Sequence, residues 1–222
     1  YLFWSGMATA VIAFAFYVAY AFGTRVAVQA FSAQTSAGTV TMSGSGVRRP
    51  NPGLGRMGTT FTGISVLALT GAIVARWTAV GHVPLSNMYE FTVVFGWGIA
   101  AAYLAFETVT RQRRMGVVAL PLVIGMLFIA SLFPDRIIPL IPALQNGPLM
   151  TIHVSMMMIS YAVLTVAFAG AVVYLAQGGE GHRRFASLPS AEAAGDLAHK
   201  AVLAGFPLLG LGIALGAWWA NS

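Results

Sequence analysis

The chain has 222 residues, of which 58% are hydrophobic and only 8% are charged, and its mean hydropathy is +0.78. A soluble domain carries about 25% charged residues, so this chain cannot cover itself with a surface that suits water. It contains no cysteine, which excludes disulfide bonds and CxxC redox chemistry within it. Most of its surface is therefore predicted to face membrane lipid.

Six segments are apolar and long enough to cross a bilayer as helices, which takes about 20 residues for ~30 Å of hydrocarbon. They are predicted at residues 2–22, 59–76, 91–108, 116–133, 149–177 and 202–219. The expected fold class is all-α, a polytopic transmembrane helix bundle with six spans. Prolines and an Asn-Gly pair between residues 139 and 148 predict a loop before the fifth span. A short amphipathic helix capped by Ser190 is expected to lead into the sixth.

Basic residues predict the orientation of the bundle. Of the twelve Lys and Arg residues, all but Arg76 and Arg136 lie in the connectors 23–58, 109–115 and 178–201. The positive-inside rule therefore places these connectors in the cytoplasm and both termini outside. The net charge of +6 is a topology signal on this interpretation, and nucleic-acid binding is not expected.

The connector between the first two spans is rich in Ser, Thr and Gly and has few residues that can form a core. Such a composition predicts a flexible cytoplasmic linker. We therefore divide the chain into residues 1–58, the first transmembrane helix with its linker, and residues 59–222, a bundle of five spans.

A compact polar and aromatic motif, residues 81–91, separates the second and third spans. In the structural interpretation, Ser86 or Asn87 caps a helix and Glu90 pairs with Arg76 or Arg136. In the functional interpretation, the motif binds a ligand or a partner protein. Its candidate residues are His82, Pro84, Asn87, Tyr89 and Glu90; the structural interpretation is favoured for the last three, and the role of the histidine is open.

His153 lies at the predicted outer end of the fifth span. Helical periodicity places Met157 and Tyr161 below it on the same side. A neutral imidazole above such a face suits haem, because iron takes imidazole nitrogen as an axial ligand and thioethers and aromatic rings pack against the macrocycle. The residues alone favour the alternative, an interfacial histidine above an ordinary Met-rich packing face.

Other chemistry has little support in the sequence. There is no GxSxG, HExxH or Walker motif. None of the six acidic residues lies in the middle of a predicted span, although Glu107 lies near the inner end of the third, and buried carboxylates are typical of ion-coupled transporters. A small-molecule membrane transporter and a non-catalytic scaffold subunit stay open as alternatives, and enzymatic activity is uncertain.

Several stretches, in their order and spacing, resemble the ResC/CcsA (CcsB-type) family of System II cytochrome c biogenesis. They are Arg76-Trp77 with residues 81–90, residues 138–145, residues 152–157 with Ser160-Tyr161, residues 205–209 and residues 216–221. The resemblance implies a membrane subunit that works with a ResB-type partner, carries haem b as a transient substrate and presents it to apocytochrome c. It implies a site on the extracytoplasmic face of a bacterial cytoplasmic membrane or a thylakoid membrane.

In that family an external haem site is built by a tryptophan-rich loop flanked by two outward-facing histidines. His153 matches the first of these, so the resemblance favours it as an axial ligand of haem iron. The family pattern continues beyond residue 222, so the chain is expected to be incomplete at its C-terminus. Cytochrome c synthase activity is expected only together with that further part and a ResB-type partner.

Overall fold

The computed structural model describes residues 1–27, 30–35, 38–43, 47–137 and 147–221. Six long helices dominate it, each apolar and long enough to cross a membrane: α1 (Leu2–Phe22), α2 (Pro52–Val80), α3 (Met88–Thr110), α4 (Gly116–Ser131), α5 (Gly147–Gln177) and α6 (Ala191–Ala220). A single 3-10 turn, Arg113–Met115, precedes α4. The prediction of an all-α membrane bundle with six spans is confirmed.

The connector between α1 and α2 contains four short strands: β1 (Thr24–Ala27), β2 (Ala30–Thr35), β3 (Gly38–Ser43) and β4 (Val47–Pro50). β1 pairs with β4 and β2 pairs with β3, both antiparallel. The sequence predicts a flexible linker here, and the structure differs by giving it regular backbone pairing. Val and Thr, which favour strands, recur among its Ser and Gly residues.

Two helix starts differ from the predicted spans, because helices extend past their apolar runs. α2 begins at Pro52, where the Asn51 side chain accepts a hydrogen bond from the Gly53 N–H at 3.2 Å. The short helix expected at Ser190 and the sixth span form the single helix α6. Ser190 is its N-cap, as predicted, and its hydroxyl accepts from the Ala193 N–H at 3.3 Å.

The helices alternate in direction, which sorts the connectors between two ends of the bundle. We call the end that carries residues 81–87 and the start of α5 the motif end; Gly23, Asn51 and residues 111–115 and 178–190 lie at the opposite, arginine end. α3 packs against α2, α4 and α5, whereas α6 packs chiefly along α5. The predicted loop at residues 138–146 lies outside the described part of the chain.

Candidate functional site

His153 is half-buried near the start of α5 and faces α6. Its Nδ1 lies 2.6 Å from the carbonyl oxygen of Gly212. A carbonyl oxygen only accepts hydrogen bonds, so Nδ1 carries the proton and donates it. The lone pair of the neutral ring is then on Nε2, the nitrogen left for another partner.

The face of α5 that carries His153 forms a close antiparallel contact with α6. One turn further along α5, a methyl group at Gly212 would lie 2.6 Å from the Met157 sulfur, so the thioether occupies the interface between the helices. Two turns along, the Ser160 hydroxyl donates to the Gly205 carbonyl at 2.9 Å. These contacts are those of the packing interpretation, and they also fix the place of the imidazole.

Tyr161 is not brought together with His153. Eight residues at about 100° each leave its side chain about 80° away around α5. It is 44% exposed at the helix surface. Among the residues that the structure describes, no group of three or more His, Cys, Asp or Glu side chains is arranged to hold a metal ion. His153 is therefore not part of such a cluster there.

At the motif end, Glu90 is only 2% exposed and accepts two hydrogen bonds. Arg76 Nε donates to its Oε1 at 2.5 Å, and the Ser86 N–H donates to its Oε2 at 2.7 Å. Asn87 is the N-cap of α3, because its Oδ1 accepts from the Glu90 N–H at 2.9 Å. The structure therefore supplies the contacts of the structural interpretation, with Arg76 and Asn87 as the partners.

Arg76 also ties the motif to the segment that follows α4. Its Nη2 donates to the carbonyls of Asp135 and Arg136, at 2.8 and 3.1 Å. The guanidinium lies 5.1 Å from the centre of the Tyr89 ring, a cation–π contact, and that ring in turn contacts Phe3 of α1. Arg76 of α2 therefore connects α3 and the segment after α4, and through Tyr89 also the start of α1.

His82 and Pro84 have different surroundings. His82 is half-buried, and its Nδ1 lies 3.0 Å from the neighbouring Val83 carbonyl. Pro84 is buried and lines an apolar cavity of about 230 Å³, whose walls include Trp77, Trp97, Ser155 and Met158. Neither His82 nor His153 is among the residues that line this cavity.

A second buried carboxylate, Glu107, lies at the arginine end of α3 and is 3% exposed. The hydroxyls of Tyr17 and Thr59 donate to it, the Tyr103 hydroxyl donates at 2.7 Å, and Arg113 Nε lies 3.6 Å away. The sequence motifs assign Glu107 no role. A carboxylate within an otherwise apolar span is the sequence feature that could have indicated this buried site.

The fold and these sites define an integral, polytopic helical membrane protein with one buried acid–base pair towards each end of α3. Residues 85–222, more than half of the chain, match the model of the cytochrome C assembly protein family. The chain belongs to that family.

Curated relatives carry the name cytochrome c biogenesis protein CcsA. The protein from Microcystis aeruginosa is 40% identical over 128 residues, which cover 56% of this chain and 38% of the relative. The protein from Thermosynechococcus vestitus is 32% identical over 214 residues, 77% of this chain and 67% of the relative. A red algal relative, from Pyropia yezoensis, is 30% identical over 213 residues. The chain spans about two fifths of the length of the relatives from Microcystis aeruginosa and Picosynechococcus that it matches.

Proposed function

We propose that this chain belongs to a membrane subunit of cytochrome c biogenesis and supplies one axial ligand of haem iron through His153. The observation that carries the proposal is the hydrogen bond from Nδ1 to the Gly212 carbonyl. It leaves Nε2 with a free lone pair, as an imidazole ligand of haem iron requires. Membership of the cytochrome C assembly family supports haem as the substrate.

The residues fit this role in part. His153 is half-buried and its proton position suits ligation. Met157 and Tyr161, the candidate contacts to the haem ring, fit less well, because the thioether faces α6 and the phenol lies on another side of α5. The contribution of the described residues is therefore axial ligation, and ring contacts from these two side chains would need both to move.

The proposed chemistry is positioning. Haem b, as the substrate, supplies the vinyl groups to which the CxxCH thiols of apocytochrome c add. His153 keeps its proton on Nδ1 and holds the iron at one orientation on the extracytoplasmic face, which raises the effective concentration of correctly placed reactants. We propose a ResB-type membrane protein as the partner, since the chain belongs to the cytochrome C assembly family.

The test is His153→Ala in the full-length protein, purified with its partner. The variant is expected to lose the Soret absorption of bound haem and the covalent attachment of haem to apocytochrome c, and added imidazole is expected to restore part of both. His182→Ala is the matched control, because that histidine is exposed in the connector between α5 and α6 and its ring bonds to the Glu180 carbonyl at 3.0 Å.

Normal haem content and normal maturation in His153→Ala would refute the assignment. Copurification with a partner but without haem, unaffected by either substitution, would favour a scaffold subunit. Uptake of a small molecule into vesicles, without haem absorption, would favour a transporter.

A further inference from the structure

The imidazole of His153 lies against the backbone of α6 at a place where only glycine leaves room. A methyl group at Gly216 would lie 2.6 Å from Cε1 of the ring, 2.9 Å from Nδ1 and 3.1 Å from Nε2. Real side-chain carbons do not approach ring atoms at 2.6 Å, so an alanine at this position must displace the imidazole. The absence of a side chain at Gly216 therefore sets how closely the ring can approach α6.

Gly212, one turn before Gly216, fixes the ring in a second way. Its carbonyl accepts the Nδ1 hydrogen at 2.6 Å, and this bond defines both the proton position and the direction of the ring plane. The same residue lacks a side chain where the Met157 sulfur packs. His153 is thus held by a hydrogen bond on one edge and by backbone contact on one side.

We propose that Gly216 and the Gly212 carbonyl are the positioning elements of the haem ligand: together they hold His153 in the Nδ1–H form with its ring against α6. The proposal rests on the proposed function of His153. It adds that the backbone at Gly212 and Gly216 determines the orientation of the imidazole. Ligating histidines commonly donate their other ring N–H to a carbonyl or carboxylate, and loss of such a partner typically weakens metal binding about 10- to 100-fold.

The chain offers a matched set of substitutions on one helix. Gly216→Ala meets the rigid ring, whereas Gly212→Ala meets the end of the flexible Met157 side chain and leaves the carbonyl in place. Gly210→Ala meets nothing within 4 Å and is the control, because it brings the same change in helix propensity. The effects on His153 are expected in the order Gly216→Ala, then Gly212→Ala, then Gly210→Ala.

The first readout uses the full-length protein with its partner and haem. Gly216→Ala is expected to bind haem about 10- to 100-fold more weakly, with an altered axial-ligand spectrum that added imidazole restores. Gly210→Ala is expected to match the unsubstituted protein in affinity and spectrum. Equal affinity and equal spectra for Gly216→Ala and Gly210→Ala would overturn the proposal.

The second readout needs no haem, and its first measurement needs no variant. Nitrogen-15 NMR of the histidine-labelled, haem-free protein is expected to show a protonated Nδ1 and an unprotonated Nε2 for His153, and a mixture of forms in Gly216→Ala. A proton on Nε2 in the unsubstituted protein would overturn the proposal even if Gly216→Ala does not fold. Normal haem content in His153→Ala would instead refute the proposed function, and the tautomer would still decide the positioning claim.

Discussion

Substitution of Glu107 by alanine is expected to destabilise the bundle more than any exposed acidic substitution. It removes the acceptor of three hydroxyl groups, those of Tyr17, Thr59 and Tyr103, and the last two each keep a backbone carbonyl as a second acceptor, at 3.0 and 3.3 Å. The buried hydroxyl of Tyr17 is left without its acceptor in an apolar interior. A buried polar group without a partner costs about 1–3 kcal/mol.

For a protein of this size, 1 kcal/mol corresponds to a melting shift of about 2–4 °C, so Glu107→Ala is expected to lower the melting temperature by at least about 2 °C. The assay is loss of the monodisperse peak in size-exclusion chromatography after heating in detergent, since a chain without cysteine gives no signal with thiol-reactive dyes. Unfolding in detergent is treated as a rate-dependent midpoint and not as an equilibrium.

Glu180→Ala is the matched control, because this residue is exposed in the connector between α5 and α6. A cycle of Glu107→Ala, Tyr17→Phe and the double variant isolates the contact between the two residues. The double variant is expected to be less destabilised than the sum of the single ones, because Tyr17→Phe removes the hydroxyl that Glu107→Ala strands. Equal melting midpoints for Glu107→Ala and Glu180→Ala would refute the reasoning.

Three further predictions use the same melting assay. Arg76→Ala leaves the buried carboxylate of Glu90 without its charge partner, which costs about 3–5 kcal/mol of stability in buried pairs. Arg76→Lys should recover only part of this loss, because lysine cannot reproduce the contacts of both Nε and Nη2. A loss of stability no larger than that from substituting an exposed arginine would contradict this prediction. Asn87→Ala removes the N-cap of α3 at a cost of about 1 kcal/mol, and Asn87→Asp should retain the cap. Ser190→Ala removes the N-cap bond of α6, which at 3.3 Å is longer than the 2.9 Å bond at Asn87, and should therefore cost less stability than Asn87→Ala. A larger loss for Ser190→Ala would count against ranking the two caps by hydrogen-bond length.

The six spans could be predicted because each requirement for crossing a membrane is local. A run of about 20 apolar residues identifies a span without any knowledge of its neighbours. The ends were less certain, since Pro52 and Ala191 begin helices in polar sequence, ahead of the apolar runs. The N-caps at Asn87 and Ser190 could be predicted because they too are local: each cap hydrogen bond joins residues three positions apart.

The partners of Glu107 and His153 could not be predicted, because they come from distant parts of the chain. Glu107 meets a hydroxyl 90 residues away on α1 and another 48 residues away on α2. His153 meets a carbonyl 59 residues away on α6. Every residue has a backbone carbonyl, so the sequence does not indicate which one bonds to His153. The glycines that allow the close approach are common in membrane helices and do not identify it either. Only the packing of α5 on α6 shows that Gly212 and Gly216 belong to the same site as the histidine.

Substitutions should have different effects in two parts of the bundle, because buried charges hold α3 and neutral hydrogen bonds join α5 to α6. α3 carries one buried carboxylate towards each end, Glu90 facing Arg76 and Glu107 facing Arg113, and these charges join it to α2 and to the segments around α4. The contact of α5 with α6 instead depends on neutral hydrogen bonds and close packing at glycines. Losing a buried charge partner costs several kcal/mol, whereas shifting a half-buried imidazole costs little stability but changes its geometry as the proposed ligand. Substitutions on α3 should therefore lower the amount of folded protein, and substitutions on the facing surfaces of α5 and α6 should change haem ligation in protein that is still folded.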